Sequence, residues 1–488
     1  MTQHIVKKIF FTRTIFTLLL LVILFPLCPL NSGAEEKKSS ITTIGTEGFF
    51  RLMRENDIWW FLKPDGEKFI SVGINHIEPV LICSDNNKDL FMEKYGDDLS
   101  GPECWPNYQG NAIYQWISDS LHLIQQWGFN TLGLHNPFPQ SELPFVKKFA
   151  PVKIDGWSGI QRQYMDPFDQ KTEQFIDNFA RDWCAQRKDN KLILGIALSD
   201  MPRWRSSPEE IHEWVQFCME LPAEAPGKQK WVEVLRQNHP DSSSASNAYG
   251  IAASSWNDFL VRTSWPVPSQ PKKVFKDEQI FLPLIADNWY RILVSTQRKY
   301  DPNHLIFGDK FAGRRDLPEW LDPIIQKHFD ITYIQWYAYA HKQTPRLRKL
   351  YATTGKPILM GDSSFSCPNQ NTPKPKGVRV SSQREVGKAY HKYLQSVMTE
   401  PYIVGWHYCG FIEGSPDLKK FHPYFSIQNG LLKPDGTPYQ DAIDRVIEAN
   451  REAYSWHTTA HAGLESTLRS WFSTLTETVN SFFQDNTS

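Results

Sequence analysis

Leu192-Ile-Leu-Gly-Ile-Ala-Leu198, running into Ser199-Asp200-Met201-Pro202, is an apolar run of strand length that ends in polar residues. A run apolar at nearly every position, rather than at alternate ones, suits a parallel strand covered on both faces. Seven more runs share its form: Phe69–His76, Thr131–His135, Phe149–Ile154, His304–Gly308, Ile331–Trp336, Pro357–Gly361 and Tyr402–Tyr408. Helical patterns lie between them, through Trp116 to Trp127 and over Thr172–Gln186, Gln279–Tyr300, Leu317–His328, Arg346–Thr354 and Gln383–Thr399. Alternating strand and helix over roughly four hundred residues predicts the α/β class and a (β/α)8 TIM barrel. The barrel is placed over residues 46–450. An N-terminal hairpin at Trp59–Gly66, turned by Asp65-Gly66, precedes it.

The longest insertion separates the fourth and fifth strands. Asp241-Ser-Ser-Ser-Ala-Ser246 is expected to be a flexible tip, and Trp265–Pro271 an extended connection. Beyond Asn450 the pattern changes, and 455–488 is expected to be a helical tail carrying Trp471, Phe472, Phe482 and Phe483. At the other end, Lys7, Lys8 and Arg13 precede an apolar run from Ile15 to Leu24, and Ser32-Gly33-Ala34 offers a cleavage site. These are the parts of a secretory signal over residues 1–34. Pro26 and Pro29 close a run shorter than a spanning helix needs. The expectation is a secreted or periplasmic protein with no integral membrane segment after signal cleavage.

A net charge of −1 over 488 residues leaves no electrostatic footprint for nucleic acid. The aromatic share, 14 % with 18 Trp, is high enough to supply both a core and stacking faces for sugar rings. Of the cysteines past the signal, Cys83 and Cys104 lie close enough in sequence to staple one loop. No CxxC pair suggests zinc or thioredoxin-type chemistry.

In barrels of this kind the functional groups stand at the carboxyl ends of the strands. Those ends carry His76 and Glu78, His135 and Asn136, Asp200, Asp309 and Lys310, Trp336 and Tyr337, Asp362 and Ser363, and His407, Tyr408 and Glu413. Glycoside hydrolysis needs two carboxyl groups, one protonated and one ionised. Asp200 and Asp362, on strands across the barrel from each other, are the candidate catalytic pair. The competing reading makes each a helix N-cap. His76, Asn136, Asp309, Lys310, Trp336, Tyr337, Trp406, His407 and Glu413 are the candidate substrate-binding set. Neither HxH nor HExxH spacing occurs, so no metal and no cofactor is expected.

Gly48–Gly66 followed by Phe69–His76 resembles the barrel entry of β-agarase-like glycoside hydrolases, members of the clan of retaining (β/α)8 glycosidases. Trp127–Gly133, Tyr300–Phe311 and Thr354–Asp362 resemble later strand motifs of the same group, so the likeness runs from about Gly48 to Asn450. It implies an agarase-like barrel acting on a polysaccharide or oligosaccharide, with an algal galactan among the candidates. Two positions depart from the clan's pattern. Anchored on Pro202 and Trp204, the alignment puts Met201 where the acid Glu belongs and Asp200 on the adjoining Asn; a slip of one residue makes Asp200 the acid. Asp362 replaces the nucleophilic Glu, and two shorter carboxylates suggest room for a water and inversion. By place, Trp406 is expected to be a sugar platform, while Arg203, Lys310 and Arg314 either meet anionic groups or are solvated charges. The alternative to an enzyme is a glycan-binding barrel that has lost its acid; a structural surface protein comes third.

Overall fold

A computed structural model of the chain describes residues 41–96, 99, 109–136, 141–156, 161–313 and 317–460. The signal segment and residues 461–488 of the expected tail lie outside them. Among the described residues, eight parallel strands close into a barrel in sequence order. They are β1 (Ser71–Asn75), β2 (Thr131–Leu132), β3 (Phe145–Lys148), β4 (Ile193–Asp200), β5 (Ile306–Ala312), β6 (Thr332–Gln335), β7 (Ile358–Ser363) and β8 (Ile403–Cys409). The principal helices outside it are α1 (Asn111–Gln126), α2 (Gln170–Ala185), α3 (Pro271–Tyr300), α4 (Asp322–His328), α5 (Ala340–Thr354), α6 (Gln383–Met398) and α7 (Gln440–Thr458). No described helix is long and apolar enough to cross a membrane.

Three expectations need correction. The third strand is Phe145–Lys148 rather than Phe149–Ile154. The Phe149 amide still bonds Ala197 O of β4 (2.7 Å), and its side chain faces out of the barrel, edge-on against Phe179 and Trp183 of α2. Ser242–Tyr249 is a helix, not a flexible tip: the Asp241 carboxylate accepts from the Ser244 amide, and Gly250 ends the helix at φ +66°. The barrel unit also passes Asn450 without a break. α7 runs on to Thr458, and the ring of buried His457 bonds Trp59 O (2.7 Å) and Met398 O (3.0 Å).

The expected N-terminal hairpin is part of a four-stranded antiparallel sheet, Thr42–Ile44, Arg51–Glu55, Ile58–Leu62 and Lys68–Phe69. Asn56-Asp57, both at positive φ, form a second hairpin turn beside the expected one at Asp65-Gly66. Phe61 of this sheet lies 6.1 Å from Phe307, which lies 5.7 Å from Tyr333, itself 6.4 Å from His407 (ring centroids). These rings fill the barrel up to the functional end. Glycine makes room for them: a Cβ at Gly361 would stand 2.0 Å from the Tyr333 ring.

Candidate active site

Successive side chains of a strand face opposite ways, so of two neighbouring polar residues only one enters the barrel. On β5 that residue is Lys310. Asp309 faces outward, accepting from Ser199 Oγ (2.7 Å) and from the Tyr290 hydroxyl of α3. Burial pushes its pKa up to about 6. On β8 His407 enters, and Trp406 faces outward, its indole donating to Ser363 Oγ (2.8 Å) between Tyr390 and Tyr393 of α6. Asp309 and Trp406 are therefore removed from the expected binding set. Both are fully buried behind the wall and offer a sugar no face.

The inward residues converge. Lys310 Nζ lies 3.1 Å from Asp200 Oδ1, 3.2 Å from Asp362 Oδ2 and 2.5 Å from His135 Nε2. His135 Nε2 is also 3.2 Å from Asp200 Oδ2. Asn75 donates to Gly361 O (2.9 Å) and Asp362 Oδ1 (3.2 Å), and its own oxygen accepts from the His135 amide. A Cβ at Gly133 would stand 2.1 Å from that oxygen, so the β2 glycine is what admits Asn75. Neither Asp200 nor Asp362 caps a helix; the cap reading fails because their carboxylates turn inward to the ammonium.

Burial pushes both carboxyls up, and the positive charges around them, Lys310 foremost, together outweigh it, holding both well below the ordinary range. Burial in turn pulls Lys310 down, and the two carboxylates raise it above an ordinary lysine. Burial lowers His135 to about 4 and His76 and His407 to about 3. The imidazoles are neutral at pH 7, and His135 Nε2 accepts from the ammonium. Two contacts to one nitrogen leave the nearest carboxylate oxygens no further apart than the sum of those lengths. The Lys310 ammonium thus stands between the two carboxylates, where the inverting reading expects a water.

His76 stacks on His135 (4.5 Å, 9°), and its Nδ1 lies 3.2 Å from Glu78 Oε2. Burial pushes Glu78 up to about 8. His76 and Met201, at φ +63° and +51°, are two of the four non-glycine residues in the left-handed region among the described residues. Such backbone costs of order 1–3 kcal/mol and gathers at functional sites. Asp155 supports the Met201 turn by accepting from the Asp200 amide (2.7 Å), while Lys148 holds Asp155 (2.8 Å).

The remaining expected residues divide. Half-buried Trp336 lies at this end of the barrel, its amide donating to Asp362 O (3.1 Å), and Tyr337 follows it. His407 sits deeper, bonded to Ser71 Oγ (2.8 Å), as part of the barrel filling. Asn136 is occupied by Ile74 O, Gly133 O and the Ile77 amide. Glu413 is bound by Asn369 and Tyr439 and fastens the loop after β8. Neither of these two has a free group for substrate. Arg203 pairs with Glu213 (3.1 Å), and Arg314 lies outside the described residues. Glu78, named among the strand-end groups, and Tyr333, a candidate partner of Asp362 by its place on the sixth strand, stand at the cluster; Asn75 joins them outside the expected set, and the inward phase of β1 was its signal. His76, His135 and Asp362 bring ligand atoms within 4.8 Å of one another, as metal ligands stand, but the Lys310 ammonium lies against two of them. Cys83 is disulfide-bonded and Cys104 falls outside the described residues.

No family model matches the chain. It is similar to Beta-agarase B of Vibrio sp. (strain JT0107), 21 % identical over 470 residues, covering 83 % of this chain and 48 % of that protein. It is also similar to Beta-agarase A of the same organism, 22 % identical over 470 residues, covering 84 % and 46 %. In sequence and in fold it is homologous to the β-agarases. The solved structure of an agarase superposes with a TM-score of 0.66 at 19 % identity, covering 86 % of this chain and 66 % of that one. An exo-β-agarase gives 0.65 at 18 %, covering 85 % and 66 %. The agarase-like chain spans about half the length of the curated relatives it matches.

Proposed function

We propose that this agarase-like barrel is an exported glycoside hydrolase that cleaves a galactan of the agar type at the Asp200–Lys310–Asp362 cluster. The observation that carries the reading is this cluster of ionised carboxylates, at the end of the barrel where the fold places chemistry. Hydrolysis needs an ionised carboxylate to face the anomeric carbon and a protonated group for the departing oxygen. Asp362 supplies the first. Asp200 cannot supply the second, because Lys310 keeps it ionised. Glu78 holds its proton at neutral pH and lies against His76, beside the cluster, and takes the donor's part. As sugar enters, Lys310 stays on Asp200 and yields its place on Asp362.

A second reading rests on Met201 and Lys310. With methionine at the acid's position and an ammonium between the carboxylates, the same cleft suits a barrel that binds glycan without cutting it. Reducing-end assays on agarose oligosaccharides, with the unmodified chain and with Asp362→Asn, decide between them. Turnover that falls at least about a hundredfold in the variant supports the hydrolase. Saturable binding with no turnover by the unmodified chain overturns it.

A further inference from the structure

One ammonium at this end of the barrel has no role in the cluster. Lys376 lies on the loop after β7, its Nζ 5.0 Å from the centroid of the Tyr337 ring and 4.5 Å from that of Tyr424. Tyr424 in turn packs on His76, 4.7 Å between centroids. Among the described residues no carboxylate stands within ion-pair distance of Lys376, whereas Lys310 contacts both aspartates. The charge of Lys376 nonetheless reaches the site, acting on Asp362, His76 and Glu78. The loop is built to hold it there. The Lys376 amide donates to Ile427 O and the Val378 amide to Ser364 O, both at 2.8 Å. Gly377 between them adopts φ +116°, where a Cβ would meet Ser364 Oγ at 2.6 Å.

We propose that Lys376, seated across Tyr337 and Tyr424, is a subsite for an anionic substituent of the sugar, a sulfate ester or a uronate carboxylate. The proposal rests on the glycan-acting reading and names its substrate class. Aromatic faces attract a cation but leave its hydrogen-bond donors unspent, so a half-buried lysine on two rings still has its N–H groups for an anion. The aspartates do not repel that anion at full strength, since Lys310 already neutralises part of their charge. Tyr337 and Tyr424 meanwhile present apolar surface beside the ammonium, as a substituted pyranose ring requires.

The test is calorimetric titration of the full chain with three size-matched galactan oligosaccharides: neutral, sulfated and uronate-bearing. Each is run at low and at high salt, on the unmodified chain and on Lys376→Met and Lys376→Arg. The unmodified chain should bind at least one anionic ligand about tenfold or more tightly than the neutral one, the scale of one charged hydrogen bond. That ratio should fall toward one in K376M, persist in K376R and shrink as salt rises. Whichever anionic ligand keeps the advantage identifies the group. Equal affinity for all three, or an advantage that survives K376M, overturns the subsite alone. Failure to bind any of the three overturns the glycan reading together with it.

Discussion

Lys310 decides the electrostatics of the site. It is fully buried, and its ammonium touches both Asp200 and Asp362. Lys310→Met leaves two buried carboxylates facing each other without a cation, and breaking a buried pair in this way costs about 3–5 kcal/mol. Urea unfolding should show that loss at pH 7 and a smaller one at pH 4, where one carboxyl of the variant takes up a proton. Glu78 gives the opposite dependence. Its folded pKa, about 8, lies above the ordinary 4.5, so the folded protein keeps a proton that the unfolded chain has released. The resulting stability is complete below pH 4.5 and is lost as pH rises toward 8. Glu78→Gln should therefore show less decline in melting temperature than the unmodified chain between pH 5 and 8. Where the unmodified chain cleaves glycan, turnover should fall as pH passes about 8, and the variant should lose that turnover at every pH.

The elements were legible in the sequence where a continuous apolar run ended at a turn, as at β4 and β8. They were misread where tertiary packing outweighed pattern. Phe149 begins an apolar stretch but makes the last bond to β4, and its ring packs outward on two aromatic partners of α2. The serine-rich segment after Asp241 has the composition of a loop, and becomes a helix because its ends are capped and its apolar residues are covered. Ala245, Ala248 and Tyr249 are buried, with Tyr249 bonded to Asp277 of α3 (2.9 Å). Asp241→Ala removes the cap and should cost about 1 kcal/mol, read as a shift in urea midpoint at unchanged slope.

Across the described residues, the N-terminal sheet and α7 are fastened to each other. His457 bonds Trp59 O and Met398 O, so residues nearly four hundred apart in sequence share one ring. His457→Ala leaves a buried carbonyl without the donor that the neutral ring supplies, and should lower stability by about 1–3 kcal/mol, measured by calorimetry. The sequence by itself determined the barrel, because strand and helix periodicities repeat locally and eight such units have one way to close. It also placed Asp200, Lys310 and Asp362 at the functional end, since each ends or nearly ends a strand. Only the tertiary structure decided which neighbour on a strand turned inward on β5 and β8, removing Asp309 and Trp406. Side-chain phase depends on bulges and glycine contacts made with other strands, which no local pattern contains. The protonation states belong to the same category. A carboxyl's pKa follows from its burial and from the charges folded against it, and those arise only when distant strands meet.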